Sequence, residues 1–236
     1  MWAVFKREVQ SYFFSPLGYV IMGFFLLVSG FFFTANNIFP MNSSFNAVLG
    51  NTSFIFLMLV PILTMRLLSE EKKTKTDQML ITSPLSLTAI VLGKYFAAVS
   101  VFLATLVISF VYPIILLTLG QPSVGEIVAG YIGFFLMGCT FIAVGLFISA
   151  LTENQITAAT STFGVLLLLW VIDWVVPNIN SPAVVSIIEW VSVLKRFSSF
   201  MMGVLSPSPI IYYLSFSALF VFLTIRVIEK RRWSEG

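Results

Sequence analysis

The residues capable of acid–base or metal chemistry are few, and their densest group lies in one short stretch. The chain has 236 residues, of which ten are Asp or Glu, one is cysteine and none is histidine. Residues 69–77, SEEKKTKTD, carry six charges in nine positions, including the carboxylates of Glu70, Glu71 and Asp77. Without histidine, the chain has no imidazole for general-base catalysis, metal ligation or proton relay. The single cysteine, Cys139, lies in an apolar run and is typical of a small buried hydrophobic residue.

The remaining carboxylates do not form the pattern that a membrane enzyme needs. Lipid-phosphate chemistry requires carboxylates clustered around a metal ion, or a histidine. Glu126 and Glu153 lie instead at predicted span ends, and Asp173 lies between Trp170 and Trp174, as in an interfacial aromatic belt. The sequence also lacks the glycine-rich lysine loop that binds nucleotide phosphates. We therefore expect no enzymatic activity, catalytic residue, metal or cofactor on this chain; energy for uphill transport would come from another polypeptide.

The composition is that of an integral membrane protein. Hydrophobic residues make up 58% of the chain, 25 residues are Phe, and the mean hydropathy is +1.00. A hydrocarbon core of about 30 Å needs about 20 apolar residues per helix. The apolar runs therefore predict an all-α fold within a single domain, residues 1–236. The six predicted transmembrane spans are residues 17–35, 52–68, 90–118, 126–151, 156–176 and 210–228.

Two terminal segments and two connections lie outside these spans. Residues 1–15 predict an amphipathic interfacial helix, because Trp2, Phe5, Val9, Tyr12 and Phe13 share one helical face. Residues 69–86 are predicted to be a cytoplasmic loop, and residues 229–236 a cytoplasmic tail.

The segment 181–206 is long enough to span a membrane but contains three charges, Glu189, Lys195 and Arg196. Each charge would cost about 2.5–3.5 kcal/mol at the centre of a span. We therefore predict that this segment forms helices that enter the outer face part way and turn back. With six spans and both termini in the cytoplasm, eleven of the thirteen Lys and Arg residues lie inside, all except Lys195 and Arg196. The positive-inside rule favours this orientation.

The charged stretch leads into a segment that can form a short helix. Thr74 can cap its start, with Asp77 three residues on at the positive end of the helix dipole. The helix would carry the apolar residues Met79 and Leu80 and end before Pro84. A helix of about two turns is too short to be stable alone. It is therefore either held by the membrane or a partner, or part of a solvated loop that only sets topology; the residues alone leave both open.

Residues 69–94, SEEKKTKTDQMLITSPLSLTAIVLGK, resemble the cytoplasmic signature of ABC-2 type ABC transporter permease subunits. The N-terminal run 14–19 and the C-terminal stretch 197–233 are similar to the branch associated with gliding motility and related bacterial export systems. Lys75 stands where the family usually has Gly. The residues that match the cytoplasmic signature are Glu70, Glu71, Lys72, Thr76, Asp77, Leu80, Thr82, Pro84, Ser86, Ile90, Gly93 and Lys94.

This resemblance implies that residues 74–82 are a coupling helix that docks on a separate ATPase subunit, which binds ATP and Mg²⁺. It also implies a second permease, of the same or a different chain, across a pathway lined by the second and fifth spans. Residues 1–15 would be the connecting helix of a multi-pass protein in a bacterial inner membrane. The implied ATPase contacts are Glu70, Glu71, Thr74, Asp77, Met79, Leu80, Thr82 and Pro84. The candidate pathway residues are Asn154, Thr157 and Ser161, although packing of small residues also accounts for their shared face.

The function expected from this resemblance is that of a permease subunit in an ATP-driven exporter. One alternative is that ATP-driven motion acts on an extracytoplasmic accessory protein. A stand-alone secondary transporter is less well supported, because the spans lack an acidic residue at mid-membrane. A purely structural anchor is a further alternative. The substrate is open among peptide, lipid and polysaccharide, because apolar walls select mainly by shape.

Overall fold

The computed structural model describes residues 1–75, 86–175 and 192–234. Among these residues there is no β-strand, and six helical segments are long and apolar enough to cross a membrane. The all-α prediction with six spans is therefore confirmed. The helices, in chain order, are α1 Trp2–Phe14, α2 Pro16–Phe33 with a π-helical turn Thr34–Ile38, α3 Asn46–Thr64, α4 Arg66–Lys73, α5 Leu87–Ser109, α6 Val111–Leu119, α7 Val124–Leu151, α8 Gln155–Val175, α9 Leu194–Met201 and α10 Pro207–Ser234.

The helix α7 is the centre of the bundle and packs against α3, α4, α5, α8, α9 and α10. Its glycines allow this close packing. A Cβ atom at Gly138 would lie 2.1 Å from the Phe102 ring, and one at Gly133 would lie 2.5 Å from Phe200. Neighbouring side chains therefore occupy the space above each glycine, which is how small residues bring membrane helices together.

Phenylalanine rings fill the space around α7. The Phe56 ring centroid lies 4.3 Å from that of Phe102 and 5.5 Å from that of Phe134, and Phe25 and Phe197 extend the same cluster. Aromatic pairs at these separations are favourable beyond the area that they bury. This cluster joins α2, α3, α5, α7 and α9, so the Phe content of the sequence forms a common core.

Several helices extend beyond the predicted spans. The segment predicted to start at residue 52 is helical from Asn46, and α4 continues through Lys73 into the segment predicted to be a loop. Likewise, α10 continues to Ser234 through the predicted tail. The predicted ends followed hydropathy, whereas a backbone helix can continue into water when its polar residues are solvated.

The helix α1 lies along α5, and one of its sides faces the bundle. Val4 and Tyr12 are buried, Glu8 lies between them on the same face, and Trp2 is exposed. Gly93 of α5 permits this contact, because a Cβ there would lie 3.1 Å from the Val4 side chain. The aromatic spacing predicted an amphipathic helix, and the stripe Val4, Glu8 and Tyr12 at i, i+4 and i+8 is the face that the bundle covers.

Two predicted segments fall wholly or partly outside the described residues. The candidate contacts Asp77, Met79, Leu80, Thr82 and Pro84 all lie in 76–85, which is not described. Of the predicted outer helices at 181–206, the described part is 192–206, and it contains α9.

The helix α9 is attached to the end of α8 by Asp173. The Asp173 Oδ2 atom accepts a hydrogen bond of 3.1 Å from the backbone N–H of Leu194, the first residue of α9. A carboxylate at a helix N-terminus pairs with unsatisfied N–H groups and with the helix dipole. Nearby, the Arg196 guanidinium lies 3.7 Å from the Tyr212 ring centroid, a cation–π contact. Asp173 therefore has a structural contact.

Candidate functional site

The start of the charged stretch lies in α4, which follows a break after α3. Pro61 lies inside α3, and Met65 separates the two helices. Proline lacks a backbone N–H and disturbs the helix around it. The Tyr12 hydroxyl of α1 donates a hydrogen bond of 2.6 Å to the Leu63 carbonyl, just before the break. The start of the charged stretch is thus attached to α1.

The N-terminus of α4 is capped by a residue from another helix. Met65 precedes α4 and cannot cap it, since its thioether is at best a weak acceptor. The Ser149 hydroxyl of α7 instead accepts hydrogen bonds of 3.1 Å from the backbone N–H groups of both Leu68 and Ser69. Ser149 can also donate to the Met65 carbonyl at 3.2 Å. A side-chain oxygen therefore satisfies two of the four unpaired N–H groups at this helix start.

The helix α4 makes the reciprocal contact with the end of α7. The Lys72 Nζ atom is buried and donates a hydrogen bond to the carbonyl of Ala150 in the last turn of α7. Carbonyls at a helix C-terminus lack intrahelical partners, and a cation there is favoured by the dipole. Ser149 and Lys72 thus cap each other's helices, and the two helix ends are held together at both contacts.

Four charged groups form a compact cluster on the other side of α4. The Lys94 Nζ atom of α5 lies 2.9 Å from the Oε1 atoms of both Glu8 and Glu71. Arg7 Nη2 lies 2.9 Å from Glu8 Oε1 and 2.8 Å from Glu71 Oε1. Exposure of the side chains falls from 55% for Arg7 to 15% for Glu71 and 1% for Lys94. The cluster has two positive and two negative charges, and it joins α1, α4 and α5.

The pKa of Glu8 reflects its place in this cluster. Burial alone would raise it, but the charge and hydrogen bonds of Lys94 and Arg7 outweigh burial, so the pKa of Glu8 lies below its ordinary value. The hydrogen bond from Arg7 to Glu8 likewise raises the pKa of Arg7, against the effect of burial. Both groups are therefore held in their charged forms, as the ion pairs require.

The C-terminus of α4 has an unusual backbone conformation at Lys75. Thr74 ends the helix: its N–H donates to the Glu70 carbonyl at 3.0 Å, and its hydroxyl donates to the same carbonyl at 2.9 Å. Lys75 follows with a φ of 56°, in the left-handed region. Glycine is favoured at this position after a helix because it has no Cβ to clash there. Thr74 therefore closes α4, and its predicted role as the cap of a following helix concerns residues outside those described.

Three of the predicted ATPase contacts are described, and all belong to α4 or its end. Glu70 is paired with Arg66 at 2.8 Å and remains partly exposed, and Thr74 is exposed. Glu71 faces inward to Lys94 and Arg7 of its own chain, so its contacts differ from those expected with basic residues of a partner. The helix α4 turns one side to the bundle, and Glu70, Lys73 and Thr74 remain accessible beside it.

The sequence did not predict the contacts between helices that Ser149, Lys72 and Lys94 make. The sequence singled out Lys94 only as a residue of the resembling signature, whereas it is almost fully buried between two carboxylates. An isolated lysine in an apolar run was the available signal, because a buried charge must be paired. Ser149 gave no signal, since serine is common in membrane helices.

The candidate pathway residues lie together on an exposed face of α8. Asn154, Thr157 and Ser161 are all exposed, and a Cβ at Gly164 would meet nothing within 4 Å. Asn154 also caps α8, because its Oδ1 atom accepts a hydrogen bond of 2.9 Å from the Ile156 N–H. The helices α3 and α7 pack against α8 on a different face, where Ala158 and Thr162 are buried. Packing within this chain therefore does not account for the polar face.

These features define a polytopic helical membrane protein whose charged connection is attached to several spans. A family model described as ABC-2 family transporter protein matches residues 36–228. The chain belongs to this family and is the permease subunit of an ABC transporter, a membrane transport component that works with an ATP-binding subunit. The comparison with curated proteins found no match.

Proposed function

We propose that this permease couples ATP hydrolysis on a separate nucleotide-binding subunit to export across the membrane. The observation that carries the proposal is the attachment of α4 to three other helices: to α1 and α5 through Lys94, and to α7 through Ser149. A force on the segment that follows α4 would therefore reach several spans at once. The proposed docking element is the coupling helix at residues 74–82, with Met79 and Leu80 as its apolar contacts.

ATP and Mg²⁺ bind, on this proposal, to the partner ATPase, whose closure displaces the coupling helix. The accessible residues Glu70, Lys73 and Thr74 would lie beside the docked subunit. Both termini and the coupling segment would face the cytoplasm of a bacterial cell, because eleven of thirteen basic residues then lie inside.

A second permease, of the same or a different chain, completes the pathway in this proposal. The exposed polar face of α8, with Asn154, Thr157 and Ser161, supports this arrangement, because hydroxyl and amide groups facing lipid are unfavourable. For two identical chains, cysteine at Ser161 in a Cys139→Ala background should form a disulfide between copies. Cysteine at the exposed Ser215 of α10 is the control that should not. Absence of the Ser161 cross-link would contradict a homodimer joined at this face.

The coupling proposal is tested with the double substitution Met79→Asp and Leu80→Asp. The protein would be co-purified with the ATP-binding proteins encoded by neighbouring genes, and ATP hydrolysis by the complex measured. We expect loss of both co-purification and permease-dependent hydrolysis, because a charged helix cannot fill an apolar groove. Met41→Asp is the control, since Met41 is an exposed methionine outside this segment. An intact complex with normal hydrolysis in the double variant would contradict the coupling helix.

A second candidate function is ATP-driven motion transmitted to an extracytoplasmic accessory protein. The short connection between α6 and α7, residues 120–123, favours it, because little of this chain is available there to select a substrate. Transport by liposomes that contain only the permease and its ATPase would argue for export without such a protein.

A further inference from the structure

An outward-facing groove of about 440 Å³ lies between α5, α7 and α10. Its floor includes Tyr95, Cys139 and Ser217, and its rim includes the exposed side chains of Phe96 and Phe222. All three helices belong to membrane spans, so the groove opens toward lipid rather than water. An apolar groove at this depth must be filled by something apolar, since an empty one would lose dispersion contacts along its length.

The polar atoms in the groove already have partners within the protein. The Tyr95 hydroxyl donates to the Cys139 carbonyl at 3.1 Å, and the Ser217 hydroxyl lies 3.2 Å from that of Thr140. Neither group therefore requires a polar atom from the occupant. This arrangement selects a plain hydrocarbon over a ligand that needs hydrogen bonds.

The groove is somewhat longer than half the thickness of the hydrocarbon core, so it is long enough to hold one acyl chain. Along α10 it runs from Tyr213 to Ile225, which at 1.5 Å per residue is about 18 Å. Half of a hydrocarbon core of about 30 Å is about 15 Å, the depth that one acyl chain occupies. The span that contains α10 covers Pro207–Lys230, so the groove begins five residues from the basic end of this span and continues across its middle to Tyr213.

Two cations mark the end at which a headgroup would lie. Arg226 follows Ile225 directly, and its guanidinium lies 5.0 Å from the centroid of the rim residue Phe222. Its Nη1 atom donates to Glu229 at 2.6 Å, which leaves further N–H donors on the same planar group. Lys230, one turn on, is also exposed. Basic residues at this depth attract anionic lipid headgroups.

We propose that the groove between α5, α7 and α10 holds one acyl chain of an anionic phospholipid, whose phosphate binds Arg226. The chain lies over Tyr95 and Ser217 and ends near Tyr213. Arg226 binds the phosphate with the donors that Glu229 does not use. This site is independent of the coupling segment and of the exposed face of α8, because it is formed by other residues.

The test uses the full chain reconstituted in vesicles of phosphatidylcholine and phosphatidylglycerol. A trace of phosphatidylglycerol carries a photoreactive diazirine in its acyl chain, and labelled peptides are mapped after irradiation. We expect labels concentrated on the groove-lining residues of the three helices. Ala218→Phe should abolish this labelling, because Ala218 lines the groove and the ring would fill it. Ser215→Phe is the matched control, adding similar bulk at an exposed position on the same helix.

The headgroup is tested with the same photoreactive chain on phosphatidylcholine. We expect stronger labelling by phosphatidylglycerol, and Arg226→Gln should reduce that labelling about fivefold. Equal labelling by both lipids would overturn the phosphate contact. Labelling spread evenly over all lipid-facing helices and unchanged by Ala218→Phe would overturn the acyl-chain site. Capture of a protein instead of lipid by a photoreactive residue at Phe96, in native membranes, would also overturn it. Melting temperatures verify that each variant is folded.

Discussion

Lys94 Nζ lies 2.9 Å from the carboxylates of both Glu71 and Glu8, which come from two different helices. The lysine is 1% exposed, so these two carboxylates compensate its charge within the fold. Because Glu71 belongs to α4 and Glu8 to α1, a single ammonium group joins α1 to α4. The cluster is therefore the element whose loss should most directly separate α1 from α4.

We predict that Lys94→Met destabilises the protein by about 3 kcal/mol, because it leaves two carboxylates adjacent and poorly compensated. The measurement is thermal or denaturant unfolding in detergent. Lys73→Met removes an exposed lysine from the same segment and should change stability by less than about 0.5 kcal/mol. Adding Glu8→Gln to Lys94→Met should restore part of the loss, because only one buried carboxylate then remains. Equal stability of Lys94→Met and wild type would contradict this account.

We predict that Ser149→Ala loosens α4 without disrupting the bundle. The substitution leaves the N–H groups of Leu68 and Ser69 without their cap, which costs about 1–2 kcal/mol. Hydrogen exchange of the α4 amides should accelerate. Ser100→Ala is the matched control, since that hydroxyl donates to the Ala97 carbonyl of its own helix. Unchanged exchange in α4 would show that Ser149 does not cap this helix.

We predict that Lys75→Gly strengthens the end of α4. A residue other than glycine at φ 56° costs roughly 1 kcal/mol, which the substitution would recover. Part of this gain in stability is offset by the greater freedom of glycine in the unfolded chain. Amides of residues 70–74 should exchange more slowly. Lys73→Gly, which places glycine inside α4, should accelerate their exchange instead. Faster exchange in both variants would contradict the left-handed conformation at Lys75.

The spans were predictable from the sequence, but the contacts that organise them were not. Hydropathy over about 20 residues indicates a spanning helix wherever it occurs, so the number of spans followed from composition. The predicted ends of the spans differ from the helix ends in the structure. For example, α4 continues across Glu70 and Lys73, where the hydropathy falls. The contact of Lys94 with Glu8 joins residues 86 apart, and that of Ser149 with Leu68 joins residues 81 apart. Such pairs depend on helix packing, which a single sequence does not display.

We predict opposite effects for two Gly→Ala substitutions. Gly138→Ala should destabilise the protein by about 1–3 kcal/mol, because the new methyl group would lie 2.1 Å from the Phe102 ring. Gly164→Ala should be neutral or stabilising by up to about 1 kcal/mol, because its Cβ meets nothing within 4 Å and alanine favours helices. Both are measured by unfolding of the isolated chain in detergent. Destabilisation by both would contradict the open environment of Gly164.

We predict that acid weakens the attachment of α1 through protonation of Glu8. The pKa of Glu8 is lowered in the folded protein from an ordinary value of 4.5. Its contribution to stability is therefore fully present above about pH 4.5 and is lost as the pH falls through the lower folded value. Glu8→Gln should lower stability at pH 7 and flatten its decline in acid, because glutamine does not titrate. Glu153→Gln is the control: Glu153 is exposed and lies outside the cluster, so the acid decline should be retained. If the stability of Glu8→Gln fell as steeply in acid as that of wild type, the loss would come from other carboxylates. Protonation of Glu8 would then not be what weakens the contact of α1 with Lys94.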